Sequence, residues 1–298
     1  MPFKVSVAII TYNQSNLLGL CIKSILKQDF NDYEIVVADD CSTDDTPKLL
    51  LQLQSLYPDK IKIVLSDKNA GITANSNKAL NACTGKYIAW MGGDDLMLPN
   101  KLRIQVDFME SNPDCVISYH DLDVFDSATG ETLRYFNSGN GSQVPYEGGV
   151  ETVVRYGTFM GACSTMILRD RCPRDGFDHR IPIASDWLYY IETLVRGGEI
   201  KYISQVLGRY RRHNNNITSL HHDRYFDQLL TLAIVENKYP FLSKFSRLYR
   251  SRYLYSVAVT KLLSGEYSDA RHLLLESIRQ GWVCYKWLWW FTRCCLHK

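Results

Sequence analysis

Apolar and polar positions alternate in blocks along the first hundred residues, and their period switches between that of a strand and that of a helix. Val5 to Ile10 is an apolar, mostly β-branched run whose one polar residue is Ser6, the pattern of a buried strand. Leu17, Leu18, Cys21, Ile22, Ile25 and Leu26 then recur at helical spacing, with Ser15 or Asn16 placed to cap the helix. Tyr33 to Ala38 predicts a second buried strand. The polar turn from Asp39 to Thr46 follows, and Pro47 suits the first turn of a helix reaching about Tyr57. Ile61 to Leu65 predicts a third strand. The turn Asn69-Ala70-Gly71 leads into a helix ending near Ala82, and the run from Lys86 predicts a fourth strand that passes through Gly92 and Gly93 into Asp94 and Asp95. Strands alternating with helices of this length predict a doubly wound, mostly parallel sheet flanked by helices.

Beyond Pro99 the pattern predicts a helix to Ser111, a strand from Val116 to Phe125, and an irregular loop rich in Gly, Ser and Asn from Asp126 to Gly149. Ala162 to Leu168 predicts a strand, Asp186 to Val195 a helix closed by Gly197-Gly198, and Ile200 to Arg211 a strand. From about Ser219 the periodicity is helical. The expected organisation is therefore an α/β domain over 1–218, its halves at 1–110 and 111–218, and a helical extension over 219–298.

Composition narrows the classes. A net charge of +2 over 298 residues gives no footprint for nucleic acid, so no nucleic-acid partner is expected. Nine scattered cysteines without a C-x-x-C pair argue against a disulfide framework or zinc site and favour a reducing compartment. There is no secretory pattern at the N-terminus and no apolar run of ~20 residues, so a cytoplasmic protein is expected. The aromatic tail from Trp282 to Phe291, with Lys286 and Arg293 nearby, fits either peripheral contact with the inner face of the cell membrane through 282–293 or internal packing. Oligomeric state stays open, a homo-oligomer among the options.

In an open parallel sheet, ligands bind beyond the carboxyl ends of the strands. Four polar signals fall there: Thr11-Tyr12-Asn13, Asp39-Asp40, the Asn69–Gly71 turn and Asp94-Asp95. Tyr12 is a candidate to stack on a base or ribose, Asp39 or Asp40 to accept the imino N–H of a pyrimidine, and Asp94 and Asp95 to meet ribose and a hard divalent cation. The segment Arg209–Asn216 is basic and rich in amides. Arg211, Arg212 and His213 are candidates to close over a diphosphate, with His213 completing the metal shell. A second D-x-D, Asp121-Leu122-Asp123, lacks the glycines of a strand end and reads as structural or acceptor-side. Neither G-x-G-x-x-G nor a P-loop follows the first strand, which removes dinucleotide and ATPase readings.

The ordered set Val5–Asn13, Ile22–Gln28, Val37–Thr46, Asn69–Gly71, Ala82–Ile88 and Asp94–Pro99 resembles a family 2 glycosyltransferase of GT-A fold, bacterial surface-polysaccharide type. The likeness covers about the first 110 residues in order and is looser from Phe159 to Thr218. It implies Asp40, with Asp39 beside it, on the base; Thr11 and Tyr12 lining base and ribose; Asp95 as metal ligand; and Asp94 next to it on the ribose side. It also implies Asp186, in Ala184-Ser185-Asp186-Trp187, as the base that deprotonates an acceptor hydroxyl, where spacing alone favours a helix cap. Trp187 is an acceptor platform or core. One position departs from the family pattern: an aspartate frequent two residues before Asp94 is Gly92 here, which bears on donor choice.

The expectation is an inverting glycosyltransferase using Mn²⁺ or Mg²⁺, a nucleoside-diphosphate sugar (UDP-linked) as donor, and a lipid-linked saccharide of O-antigen or capsule assembly as acceptor. The rival readings are a nucleotidyltransferase that makes a sugar nucleotide, and a non-catalytic scaffold acting through the C-terminal helices.

Overall fold

The computed structural model describes residues 3–139, 142–214, 216, 224–281 and 285–296. The chain divides into two compact units, one formed by residues up to Val150 with Thr158–Asp227, the other by Glu151–Gly157 with the residues from Gln228 onward. The expected boundary at 218 lies outside the described residues.

The first unit carries one nine-stranded sheet. Its parallel half follows the expected alternation: β1 (Val5–Thr11), α1 (Ser15–Leu26), β2 (Tyr33–Asp39), α2 (Thr46–Leu56), β3 (Ile61–Leu65), α3 (Ile72–Ala82) and β4 (Tyr87–Gly92). Burial explains why these runs are strands. Six of seven residues of β1 and all seven of β2 are buried, so sequence rich in β-branched residues is covered on both faces. Ser6, the polar interruption, is satisfied there, donating to Glu34 at 2.6 Å and accepting the Gly85 N–H at 2.8 Å.

The rest of the sheet is mixed. The strand order β3-β2-β1-β4-β8-β6-β9-β5 brings in β5 (Leu96–Met97), β6 (Cys115–Asp126), β8 (Met166–Leu168) and β9 (Glu199–Arg212), while β7 (Thr132–Tyr135) pairs with β6. The helices α4 (Lys101–Ser111), α5 (Val150–Tyr156) and α6 (Asp186–Leu194) are interspersed. β4–β8, β6–β8, β6–β7 and β5–β9 pair antiparallel, and β6–β9 parallel.

Three expectations change. The Asp126–Gly149 stretch is not irregular throughout, because β7 forms a hairpin on β6. Ala162–Leu168 opens as a 3₁₀ turn at Ala162–Ser164, and only Met166–Leu168 is strand. Leu96 and Met97 form a short strand that pairs with Arg209 and Gly208, and this pairing decides where the two aspartates before it lie.

The second unit is helical: α7 (Arg224–Lys238, which begins in the first unit), α8 (Ser243–Leu263), α9 (Tyr267–Arg279) and α10 (Tyr285–Leu296). Ala258, Leu262, Ala270 and Leu274 form its small core, against which Trp287, Trp290 and Phe291 pack. Gly157, at φ +77°, joins this unit because a Cβ there would lie 2.5 Å from the Tyr249 ring. Residues 282–284 of the aromatic tail lie outside the described residues. Among those described, no helix is long and apolar enough to cross a membrane.

Candidate active site

The parallel register sets the ends of β1, β2 and β4 side by side: Thr11 faces Asp39, and Ile10 faces Gly92. Thr11, Asp39 and Asp40 are buried there, and Tyr12 is 45% exposed. Asp40 accepts the N–H groups of Ala70 and Gly71 at 3.0 and 2.7 Å, and so fixes the turn that starts α3. Asp39 accepts from Ser42 N and Oγ at 3.0 and 2.5 Å. A carboxylate has about four acceptor positions, so both acids keep lone pairs for a ligand. Asn13, at φ +52°, is used differently. Its Oδ1 accepts the Thr43 N–H at 2.7 Å and its N–H donates to Ser42 Oγ at 2.8 Å, so it braces the loop after β2.

Two glycines let β4 deliver its aspartates into this corner. A Cβ on Gly93 would lie 2.9 Å from Gln14 Oε1 and 3.0 Å from Thr11 Oγ1, the close approach that brings β4's end against β1's. A Cβ on Gly92 would lie 2.7 Å from Asp94 Oδ1 and 3.2 Å from Asp95 Oδ2. The glycine that departs from the family pattern thus leaves the volume that the two carboxyl groups occupy.

Because β5 pairs with β9, the end of β9 folds back onto the same acids. Arg211 N–H donates to Asp95 Oδ1 at 2.9 Å and Arg211 Nε to the Asp94 carbonyl at 2.7 Å. His213 Nε2 lies 3.0 Å from Asp94 Oδ2, and Asn216 Nδ2 lies 3.3 Å from the same oxygen. Asn216 also accepts His213 N–H at 2.6 Å and donates to the Arg211 carbonyl at 3.1 Å, so one amide side chain closes the loop that carries His213. Burial, and after it the charge of Asp94, push the Asp95 carboxyl well above the usual carboxylate range.

The residues fit a divalent cation held jointly with a ligand. Asp95 is a buried acid that burial and the charge of Asp94 push towards its neutral form against the pull of Arg211, and Asp94 beside it carries the His213 contact. Among the described residues no cluster of three His, Cys, Asp or Glu side chains forms a closed metal cage. An ion of this kind is commonly held by one or two carboxylates plus substrate phosphates.

Asp186 opens α6, with Ser185 at the cap position and no side-chain capping bond from it. Asp186 Oδ1 accepts the Trp187 N–H at 2.9 Å. The turn before it is held from two sides. Thr73, near the start of α3, donates to the Ile181 carbonyl at 2.6 Å and lies 2.9 Å from Ser185 Oγ, while Asp227 accepts the Ile183 and Ala184 N–H groups at 3.1 and 2.9 Å. The turn fixed by Asp40, the first turn of α3 and the Asp186 loop therefore form one connected chain of contacts.

Several roles expected from the sequence are redistributed. Trp187 is 2% exposed and is core, with no ring face open to an acceptor. Arg211 is 5% exposed, its guanidinium 4.7 Å from the Phe125 ring and its Nε on the Asp94 carbonyl, so it clamps the aspartate turn rather than pointing at a diphosphate. Arg212 keeps a partly exposed side chain, 6.0 Å from the Tyr210 ring. In the second D-x-D, Asp121 accepts Leu122 and Asn137 N–H groups at 2.8 and 2.7 Å and Asp123 pairs with Arg209 at 2.5 Å, which makes both structural. Asn216 and Asp227 do not stand out in the sequence. Nothing local marks either as a site residue, since the bonds that tie them to the site reach Asp94 and Ile183, 122 and 44 residues away.

Residues 6–170 match the profile of Glycosyl transferase family 2. The chain belongs to this family. Among curated relatives, Bacillus subtilis EpsE, named a glycosyltransferase, is 39% identical over 109 residues, 37% of this chain and 39% of its own length. Bacillus subtilis TuaG, named a glycosyltransferase of teichuronic acid biosynthesis, is 27% identical over 72% of this chain and 81% of its own length. Three of the matched relatives are spanned over only 39%, 36% and 38% of their lengths. Among solved structures, S. aureus TarS 1–349 superposes with a TM-score of 0.67 at 18% identity, covering 93% of this chain and 80% of that one. A mannosyltransferase from Pyrobaculum calidifontis, solved with GDP-Man and Mn²⁺, gives 0.62 at 16% identity over 99% and 85%. These likenesses show that this family 2 chain has the GT-A fold.

Proposed function

We propose that this family 2 chain is an inverting glycosyltransferase that moves a sugar from a nucleoside-diphosphate donor to an acceptor hydroxyl, with a divalent cation bound at the aspartate pair. The observation that carries this reading is the convergence of Asp94, Asp95, His213 and Asn216 at the strand ends that also hold Asp39, Asp40 and Tyr12. In it, Tyr12 and the Asp39–Asp40 corner bind the nucleoside, UDP being the expected one, and Asp94 meets the ribose. TarS has been solved with UDP-GlcNAc, which supports a UDP-linked donor; the Pyrobaculum enzyme's GDP-Man keeps GDP in the test.

Asp95 and His213 would hold Mg²⁺ or Mn²⁺, which when bound supplies Lewis-acid stabilisation of the departing diphosphate. Asp186 takes the proton from the acceptor hydroxyl at a carboxylate oxygen. The acceptor oxygen forms the new bond to the anomeric carbon as the bond to the diphosphate breaks, and the leaving electron pair stays on the diphosphate. Attack from the face opposite the leaving group inverts the anomeric configuration.

TuaG's name supports a cell-surface polysaccharide acceptor, and the full reading is a lipid-linked saccharide met at the inner face of the membrane. The test is a donor screen by UDP and GDP release with and without Mn²⁺. Release of UDP from a UDP-sugar supports transfer; pyrophosphate formation from UTP identifies a nucleotidyltransferase instead.

A further inference from the structure

The first turns of α3 are polar where a helix packed between a sheet and a loop is ordinarily apolar. Thr73, Asn75 and Asn77 are all buried, and neither residue type favours a helix. A hydroxyl or amide taken out of water costs free energy unless it finds a partner, so the bonds of these side chains indicate what they do.

Thr73 and Asn77 stand one helical turn apart and face the same loop. The Thr73 hydroxyl donates to the Ile181 carbonyl at 2.6 Å, with the Pro182 carbonyl at 3.1 Å and Ser185 Oγ at 2.9 Å. Asn77 pairs with Phe177 in both directions: its Nδ2 donates to the Phe177 carbonyl at 2.9 Å, and its Oδ1 accepts the Phe177 N–H at 2.7 Å. Gly176, at φ +69°, lets the loop come this close, since a Cβ there would collide with Asn77 Oδ1. Asn75 faces the other way, and its Nδ2 donates to the Ala38 carbonyl at 2.9 Å, one residue before Asp39. With one side α3 therefore holds the end of β2, and with the other the loop 177–185. The residue that follows this loop is Asp186.

The loop is packed from its far side as well. The Phe177 ring stacks on Tyr189 of α6 at 4.0 Å and meets Trp90 of β4 edge-on at 5.2 Å. Valine and leucine at positions 73 and 77 would fill similar volumes with no polar group to satisfy. What the hydroxyl and the amide add is direction: their hydrogen bonds fix where the loop's backbone groups lie, which packing alone does not.

We propose that Thr73 and Asn77 are positioning residues for sugar transfer. They register the loop before Asp186 against the strand ends that carry Asp39 and Asp40, and so place the base at the acceptor hydroxyl. Both act through the loop and not on the reacting atoms. The role rests on the transfer reading of Asp186.

The test follows nucleotide release by the full chain with Mn²⁺. UDP- and GDP-linked hexoses and N-acetylhexosamines are the donors, with benzyl glycosides of the same sugars as acceptors and water as the acceptor in their absence. Thr73→Val should lower kcat at least about tenfold while the donor KM stays within about twofold of the parent's. Thr73→Ser, which restores the hydroxyl, should recover most of the parent kcat. Asn77→Asp keeps the acceptor half of the pair with Phe177 and loses the donor half, and should move kcat in the same direction as Thr73→Val. Thermal melts of the variants check that the fold is intact. Thr73→Val at the parent kcat, a donor KM that rises as kcat falls, or a loss that Thr73→Ser does not recover would overturn the positioning role alone, since the parent still turns over. A parent that releases no nucleotide from any donor would instead overturn the transfer reading, and this role with it.

Discussion

The main-chain N–H of Arg211 donates to Asp95 Oδ1 at 2.9 Å, although 116 residues separate the two in sequence. The bond follows from the pairing of Leu96 with Arg209, which sets the end of β9 beside the turn that carries the acids. Since the donor is backbone, the fold itself aims this carboxyl group. The same pairing delivers His213 and Asn216 to Asp94.

Asn216 and His213 both tie the segment after β9 to Asp94. Truncating Asn216 removes three hydrogen bonds, among them the one that holds the His213 N–H, without removing a proposed metal ligand. Asn216→Ala should weaken Mn²⁺ affinity by about 10–100-fold, the usual effect of losing a residue that orients a ligand. Titration of Mn²⁺ into the chain with UDP present measures it. Unchanged affinity would mean that the loop holds its place without Asn216.

Gly92 is a position where a single methyl group competes with both acids. Gly92→Ala should leave the melting temperature close to the parent's, because the Asp94 side chain can rotate away, while metal-dependent nucleotide binding falls at least about tenfold. Calorimetric binding of UDP with Mn²⁺, set beside a thermal melt, separates the two effects.

Asp186→Asn should cut transfer by about 10²–10⁴-fold while donor binding stays intact, since the amide keeps the shape of the side chain and loses the base. Asp227→Asn should lower turnover less and also spare donor binding, as it loosens the turn before Asp186. If either variant loses UDP binding in parallel with transfer, the residue belongs to the donor site.

Lys101 gives a pH signature away from the acids. It is fully buried, its Nζ hydrogen-bonded to Gln105 Oε1, and burial lowers its pKa to about 7 from 10.5. Between those values the unfolded chain binds a proton that the folded chain does not, so this residue makes stability rise with pH across that window. Lys101→Met should therefore be more stable than the parent near pH 7, by about 1–4 kcal/mol, with the advantage shrinking towards pH 10. Denaturant titrations of both proteins at several pH values give the difference; one that does not change with pH would place the lysine elsewhere.

Much of this is legible in the sequence, for reasons that can be named. β1 to β4 are runs rich in apolar residues, and their polar ends stand out against them, so Asp39, Asp40, Asp94 and Asp95 are visible as strand-end acids. Asp186 is visible only through the family resemblance. Pairings between distant segments are not legible. Nothing in Leu96-Met97 announces a strand, because its partner is β9. For the same reason Arg211 reads as a free cation when it is a buried clamp, and Asn216 as one amide among several. Trp187 is open between platform and core in the sequence, and the apolar neighbours that decide for core come from the tertiary fold.

The most direct test of the central claim is calorimetric binding of UDP and GDP to the parent and to Asp95→Ala, with Mn²⁺ and with EDTA. The expected result is that one of these nucleotides binds the parent only when the ion is present and does not bind the variant, whose melt shows an intact fold. Binding that ignores the ion, or that survives in Asp95→Ala, would contradict the assignment of this corner as a metal-assisted nucleotide-sugar site.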